Sequence, residues 1–89
     1  MRVDLLMNKL CLVKSRNIAK NACDRHLVLI NGVPVKASNT VNEGDIIAYS
    51  IYGYQTTIKL LKVPAGNVAK KSAGDYYEII SRDKLETAE

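Results

Sequence analysis

The feature that most constrains this chain is a change of hydrophobic period near residue 26. Before it, apolar residues recur every three or four positions; after it they come in short runs divided by turn signals. A chain patterned this way is predicted to be α+β, with a helical hairpin first and a small, mainly antiparallel sheet after it. Val3, Leu6, Met7, Leu10 and Val13 put one side of a first helix against a core, with Asp4 as its expected N-cap. Ser15 reads as the cap of a second helix with the apolar stripe Ile18, Ala19, Ala22 and Cys23, ending over Asp24 to His26.

Beyond that point Leu27 to Ile30 predicts a strand. Asn31-Gly32 predicts a type I′ hairpin turn, whose two central residues both need positive φ, and Val33-Pro34-Val35 the return strand. Pro34 has no N–H for a ladder and belongs at an edge or a bulge. Glu43-Gly44-Asp45 marks another turn, and a strand follows through Ile46, Ile47, Tyr49 and Ile51. Gly53 breaks the chain before a further strand over 55–63. After the loop of Pro64, Gly66 and Asn67, a helical turn or two is expected over 68–73 and a last short strand over 76–80. The chain has 89 residues, room for one domain. Residues 1–63 form the expected globular unit; 64–89 are expected to be a short C-terminal extension packed on it, ending in a frayed polar tail.

Charge is distributed unevenly. The net charge is +4. Residues 1–26 carry Arg2, Lys9, Lys14, Arg16, Lys20 and Arg25 against Asp4 and Asp24, which already leaves +4. The middle of the chain contributes +1 and the last 26 residues −1, so a polyanionic partner would meet the helical end. No apolar run reaches the length of a membrane span, and no signal-peptide pattern opens the chain, so a cytoplasmic protein without membrane contact is expected. Cys11 and Cys23 lack metal-ligand spacing and are expected to be buried, reduced and inert; no metal or cofactor is expected.

The start of the second helix breaks a local rule. Unpaired N–H groups place roughly half a positive charge there, which favours acidic neighbours. Here the cap stands between Lys14 and Arg16, with Lys20 one turn on. Helix N–H groups, a hydroxyl, a guanidinium and ammonium groups converging on one place would suit a phosphate. The alternative is that these are solvated surface charges; side chains splayed apart, or tied up by the protein's own carboxylates, would collapse the functional reading drawn from this turn and leave only the fold. Arg2 could join the group through the hairpin, and Lys36 could extend it.

Arg2-Val3-Asp4, Leu10, Lys14-Ser15-Arg16, Ala19, Ile30-Asn31-Gly32, Val35-Lys36, Ser38, Val41 and Gly44-Asp45 form an ordered string over about residues 2–51. In this string the chain resembles the RNA-binding S-four domain, the alpha-L motif named after small-subunit ribosomal protein four. The layout of domain plus short tail is similar to the free-standing bacterial members, the heat-shock protein fifteen and ribosome quality-control protein P group. That resemblance implies a monomeric, non-enzymatic binder of structured RNA. Its target would be large-subunit ribosomal RNA, with tRNA near, in rescue or quality control of stalled translation. It also implies RNA contacts at Arg2, Lys14, Ser15, Arg16, Lys36 and Ser38, which Lys9 and Lys20 would supplement. The chain departs from the family at Leu5 and Cys11, where basic residues are usual, and at His26, where glycine is usual. His26 therefore implies either a left-handed residue or an altered turn.

Other readings stay open. A protein-interaction module on the same scaffold, with RNA affinity lost, is the main alternative; a regulatory fragment of an RNA-modifying enzyme is a third. His26 has no evident partner nucleophile or carboxylate for catalysis. The five tyrosines, in a chain with no Trp or Phe, could stack on bases, but at least half of them are expected to pack in the core or sheet, with Tyr52 and Tyr54 the candidates for exposure. Lys70-Lys71 is a weaker second basic site.

Overall fold

The computed structural model describes residues 1–85. Two short helices, α1 (Val3–Lys9) and α2 (Arg16–Asp24), precede five strands: β1 (Val28–Ile30), β2 (Val33–Pro34), β3 (Ile46–Ile51), β4 (Tyr54–Leu60) and β5 (Tyr77–Lys84). The sheet runs in the order β2-β1-β3-β4-β5 with every neighbouring pair antiparallel. The α+β architecture is therefore the one the periodicity predicts. Among the described residues, no helix is long and apolar enough to cross a membrane.

A seven-residue helix would not survive alone in water, where isolated helices need about 12–15 residues. Packing supports α1 instead: Val3, Leu6, Met7 and Leu10 are all buried, each side chain worth roughly 1.5–3 kcal/mol of burial. They meet Ala19, Ala22 and Cys23 of α2 and one sheet face carrying Val28, Ile47, Tyr49, Ile58 and Leu60.

Both helices close in the same way. After the C-cap Leu10, Cys11 turns left-handed (φ +59°), and Leu12 N–H reaches back to Met7 O (2.9 Å). After the C-cap Arg25, His26 does likewise (φ +60°), and Leu27 N–H donates to Ala22 O (2.8 Å). These are Schellman closures with a side chain at the position that glycine usually fills. Of the two possibilities at His26, the left-handed residue is the one found. The first closure stops α1 at Lys9, so Val13 reaches the core from the turn rather than from the helix.

Asn31 (φ +52°) and Gly32 (φ +84°) form the expected turn, and Pro34 lies on the edge strand β2. Tyr52 (φ +59°) and Gly53 (φ +78°) make a second two-residue hairpin turn between β3 and β4.

Several boundaries differ from expectation. Asp4 is not the N-cap: Arg2 occupies that position, and Asp4 lies buried inside the first turn. No side-chain cap is needed, because Val3 and Asp4 N–H donate to the carbonyls of Asn39 (2.8 Å) and Ala37 (3.4 Å). The helical segment of the C-terminal region is a 3-10 helix over Lys70–Asp75. The last strand runs to Lys84 rather than ending at Ile80. Thr57 pairs with Ser81 and Ile58 with Ile79, which leaves Ile80 as a bulge and shifts the alternation. The expected frayed end falls partly on residues 86–89, outside the described residues.

Candidate nucleic-acid interface

Asp4 organises the basic face. Its side chain is 2% exposed, yet two half-exposed arginines reach it. Arg2 donates through Nε to Oδ1 and through Nη2 to Oδ2, both at 3.2 Å. Arg16 donates through Nε to Oδ2 at 3.1 Å, and Leu5 N–H to Oδ1 at 2.7 Å. Burial pushes the Asp4 carboxyl up, but the Arg16 hydrogen bond, the Leu5 N–H and the charges of Arg16 and Arg2 outweigh it. They hold the group below its ordinary range, so it is ionised at neutral pH.

This arrangement corrects the argument from the start of α2. The protein's own carboxylate answers part of the cationic crowding there, so the crowding does not by itself call for a phosphate. One carboxylate between two guanidinium groups still leaves a net positive charge. Arg16 spends only Nε on Asp4, and its two terminal nitrogens have no protein hydrogen-bond acceptor among the described residues. Asp4 thus sets the orientation of a donor fork that faces outward.

The other expected residues fall into two groups. Lys36 N–H donates to Asn39 Oδ1 and Asn39 N–H to Lys36 O, both at 3.0 Å, which folds 36–39 into a tight turn. The carbonyls of that turn cap α1, as described above, so Lys36 and Ser38 are carried to the start of the helix. Arg2, Lys20, Lys36 and Ser38 line one open hollow of about 850 Å³. Arg16 joins them through Asp4. Ser15 is the N-cap of α2, as expected, its Oγ accepting from Ile18 N–H at 3.4 Å.

Lys9 and Lys14 stand apart. Lys9 Nζ lies 3.4 Å from Gly66 O and 3.5 Å from Asn67 Oδ1, at the far end of α1 from Arg2. Lys14 is exposed, and its main-chain N–H donates to Tyr52 Oη at 2.9 Å. Cys11, Lys14, Tyr52 and Lys70 line a second hollow of about 510 Å³. Lys70 therefore belongs beside Lys14, a pairing of residues 56 positions apart that the sequence did not reveal. Nor did the sequence reveal the central role of Asp4, although Arg2 two positions away was one available signal.

The cysteines divide. Cys23 is buried, and burial first, then the charges of Asp4 and Asp24, push its thiol up to about 11, so it is inert. Cys11 is exposed, against expectation, because the left-handed closure of α1 turns it outward. Tyr49 is buried, and burial raises its hydroxyl to about 12; Tyr52 is exposed, as expected. Tyr54 is half-buried under Arg82, whose guanidinium carbon lies 4.5 Å from the ring centre. Among the described residues, no group of three or more His, Cys, Asp or Glu is placed to hold a metal.

Residues 1–47, the helical hairpin through the start of β3, match the S4 domain. The chain belongs to the S4 domain family. Beyond that domain, similarity to individual proteins runs over most or all of the chain. The RQC P-site tRNA stabilizing factor of Halalkalibacterium halodurans is 28% identical over 89 residues, covering all of both chains. The Helicobacter pylori protein of the same name is 34% identical over 77 residues, covering 85% of this chain and 92% of that one. Among solved structures, trimeric heat shock protein 15 of Vibrio cholerae shares the fold, with a TM-score of 0.84 over 91% of this chain and 82% of that one, at 23% identity. The solution structure of the hypothetical protein HP1423 aligns with a TM-score of 0.77 and 32% identity, over 91% and 98% of the two chains.

Proposed function

We propose that this S4 protein is a ribosome-associated RNA binder that acts in quality control of stalled translation. The observation that carries the reading is the joint one of full-length similarity to P-site tRNA stabilizing factors and a preorganised cationic face. In finer terms, its target is ribosomal RNA of the large subunit, with tRNA close by, and it works as a monomer in the cytoplasm. Arg2, Arg16, Lys20, Lys36 and Ser38 make the principal contacts, and Ser15, Lys14 and Lys9 flank them. The mechanism is positioning: phosphate contacts fix the orientation of the protein and favour one arrangement of subunit and tRNA, with no bond made or broken.

Sedimentation of a native lysate through a sucrose gradient tests the reading. The protein is expected in the large-subunit fractions; its presence only at the top of the gradient would contradict the proposal.

One observation favours the alternative of a protein-interaction module: Ile79 and Ile80, on the edge strand β5, are each more than half exposed. Salt separates the two. Neutralising roughly four to six phosphates gives a log–log slope of about −3 to −5 for RNA binding, whereas binding through apolar strand residues responds weakly to salt.

A further inference from the structure

The larger hollow has more than cations. Pro34, Val35 and Ala37 give it an apolar wall, while Arg2, Lys20 and Lys36 supply its positive charge. At about 850 Å³ it falls in the range of pockets that hold small organic ligands, and it far exceeds what a phosphate group alone would fill. Apolar surface beside a positive rim is unsuited to a duplex backbone, which presents only phosphate and sugar. It suits a nucleotide whose base has left its stack, with a flat face to bury and a phosphate attached.

His26 lines the same hollow. Its backbone is held at φ +60° in the closure of α2, where a side chain is disfavoured and glycine is the usual solution. The imidazole is exposed and makes no hydrogen bond to the protein among the described residues; the closure's backbone bonds, His26 N–H to Cys23 O and Leu27 N–H to Ala22 O, would serve a glycine equally well, so the fold gives no reason for a side chain here. Non-glycine residues kept in this region often mark functional positions. Asp24, also on the hollow, repels phosphate but can accept from a base N–H.

We propose that this hollow receives a single unstacked nucleotide of the bound RNA. The base lies between His26 and the Pro34–Val35–Ala37 wall, and its phosphate among Arg2, Lys20 and Lys36. The S4 protein then recognises an irregular RNA element, a bulge or loop, rather than a regular helix. This rests on the RNA-binding reading above and adds to it the class of RNA.

The test uses the full chain and two short RNA hairpins of equal length, one fully paired and one with a single bulged 2-aminopurine. Base stacking on a side chain gives roughly 1–3 kcal/mol, so the bulged RNA should bind about tenfold more tightly, and its fluorescence should change on binding. His26→Gly should reduce the preference below about threefold without lowering Tm, and His26→Tyr should retain part of it. Equal affinity for both RNAs with unchanged fluorescence overturns the proposal and leaves RNA binding standing. An undiminished preference in His26→Gly removes His26 from the site. Binding to neither RNA overturns the RNA-binding reading and this proposal with it.

Discussion

The two hollows beside the helical hairpin are built alike and furnished differently. Each is lined by lysine and by the left-handed residue that closes a helix: His26 of α2 in the larger, Cys11 of α1 in the smaller. In the larger, Arg2 is gripped by buried Asp4, and Lys36 rides on a turn that caps α1. In the smaller, Lys14 and Lys70 have no carboxylate within salt-bridge range among the described residues. A polyanion binding at the first meets one guanidinium already held in place by Asp4, beside Lys20 and Lys36; at the second it meets only long lysine side chains that it must immobilise, which offsets much of the gain. Equal charge in two places therefore does not make two equal sites.

Removing the organising carboxylate should have the largest effect on stability. Asp4→Asn should cost about 1–2 kcal/mol at pH 7, the worth of charged hydrogen bonds reduced because both arginines are half exposed. It should also change the acid response. The folded Asp4 carboxyl lies below its ordinary value of 3.8, so its stabilisation is present above that pH and is lost as pH falls through the lowered folded value. Wild type should thus lose more stability than Asp4→Asn on acidification below about pH 4, which urea melts at stepped pH would measure. Parallel curves would mean that Asp4 is not the anchor.

The two closures give a matched pair of smaller effect. Cys11→Gly and His26→Gly should each raise stability by about 0.5–1 kcal/mol, because relief of left-handed strain outweighs the greater freedom of glycine in the unfolded chain. Only His26→Gly should weaken RNA binding; equal effects of the two would erase the distinction between the hollows. Smallest of all, Lys14→Ala should weaken RNA binding about two- to threefold and reduce the salt slope by about 1, as read by fluorescence anisotropy. A loss as large as that from Arg16→Ala would move the principal site to the second hollow.

Features settled within a few residues were legible from sequence. Ser15 caps α2 by its own hydroxyl, Asn31-Gly32 turns by its own φ preferences, and Pro34 stays at an edge because it lacks an N–H. Features that depend on distant partners were not. Asp4 is a good local N-cap by type, but the carbonyls of Ala37 and Asn39 take that task and free it for Arg2 and Arg16. The last strand was legible over 76–80, but its continuation to Lys84 was hidden by the Ile80 bulge and by the exposure of nearly every residue in it, which leaves no alternation to read. At the site, the cationic members were visible as charges along the chain. Their division into two hollows was not, because a turn over 36–39 and a 3-10 helix that brings Lys70 beside Lys14, 56 residues away, decide it.

Whether the arginine fork fixed by Asp4 meets the nucleic-acid backbone is decided by Arg16→Ala. Ribosome co-sedimentation and thermal melting of the variant should be measured side by side. Association should weaken about tenfold or more, the worth of a charge-assisted contact, with the domain still folding cooperatively. Undiminished co-sedimentation by a folded Arg16→Ala protein would contradict it.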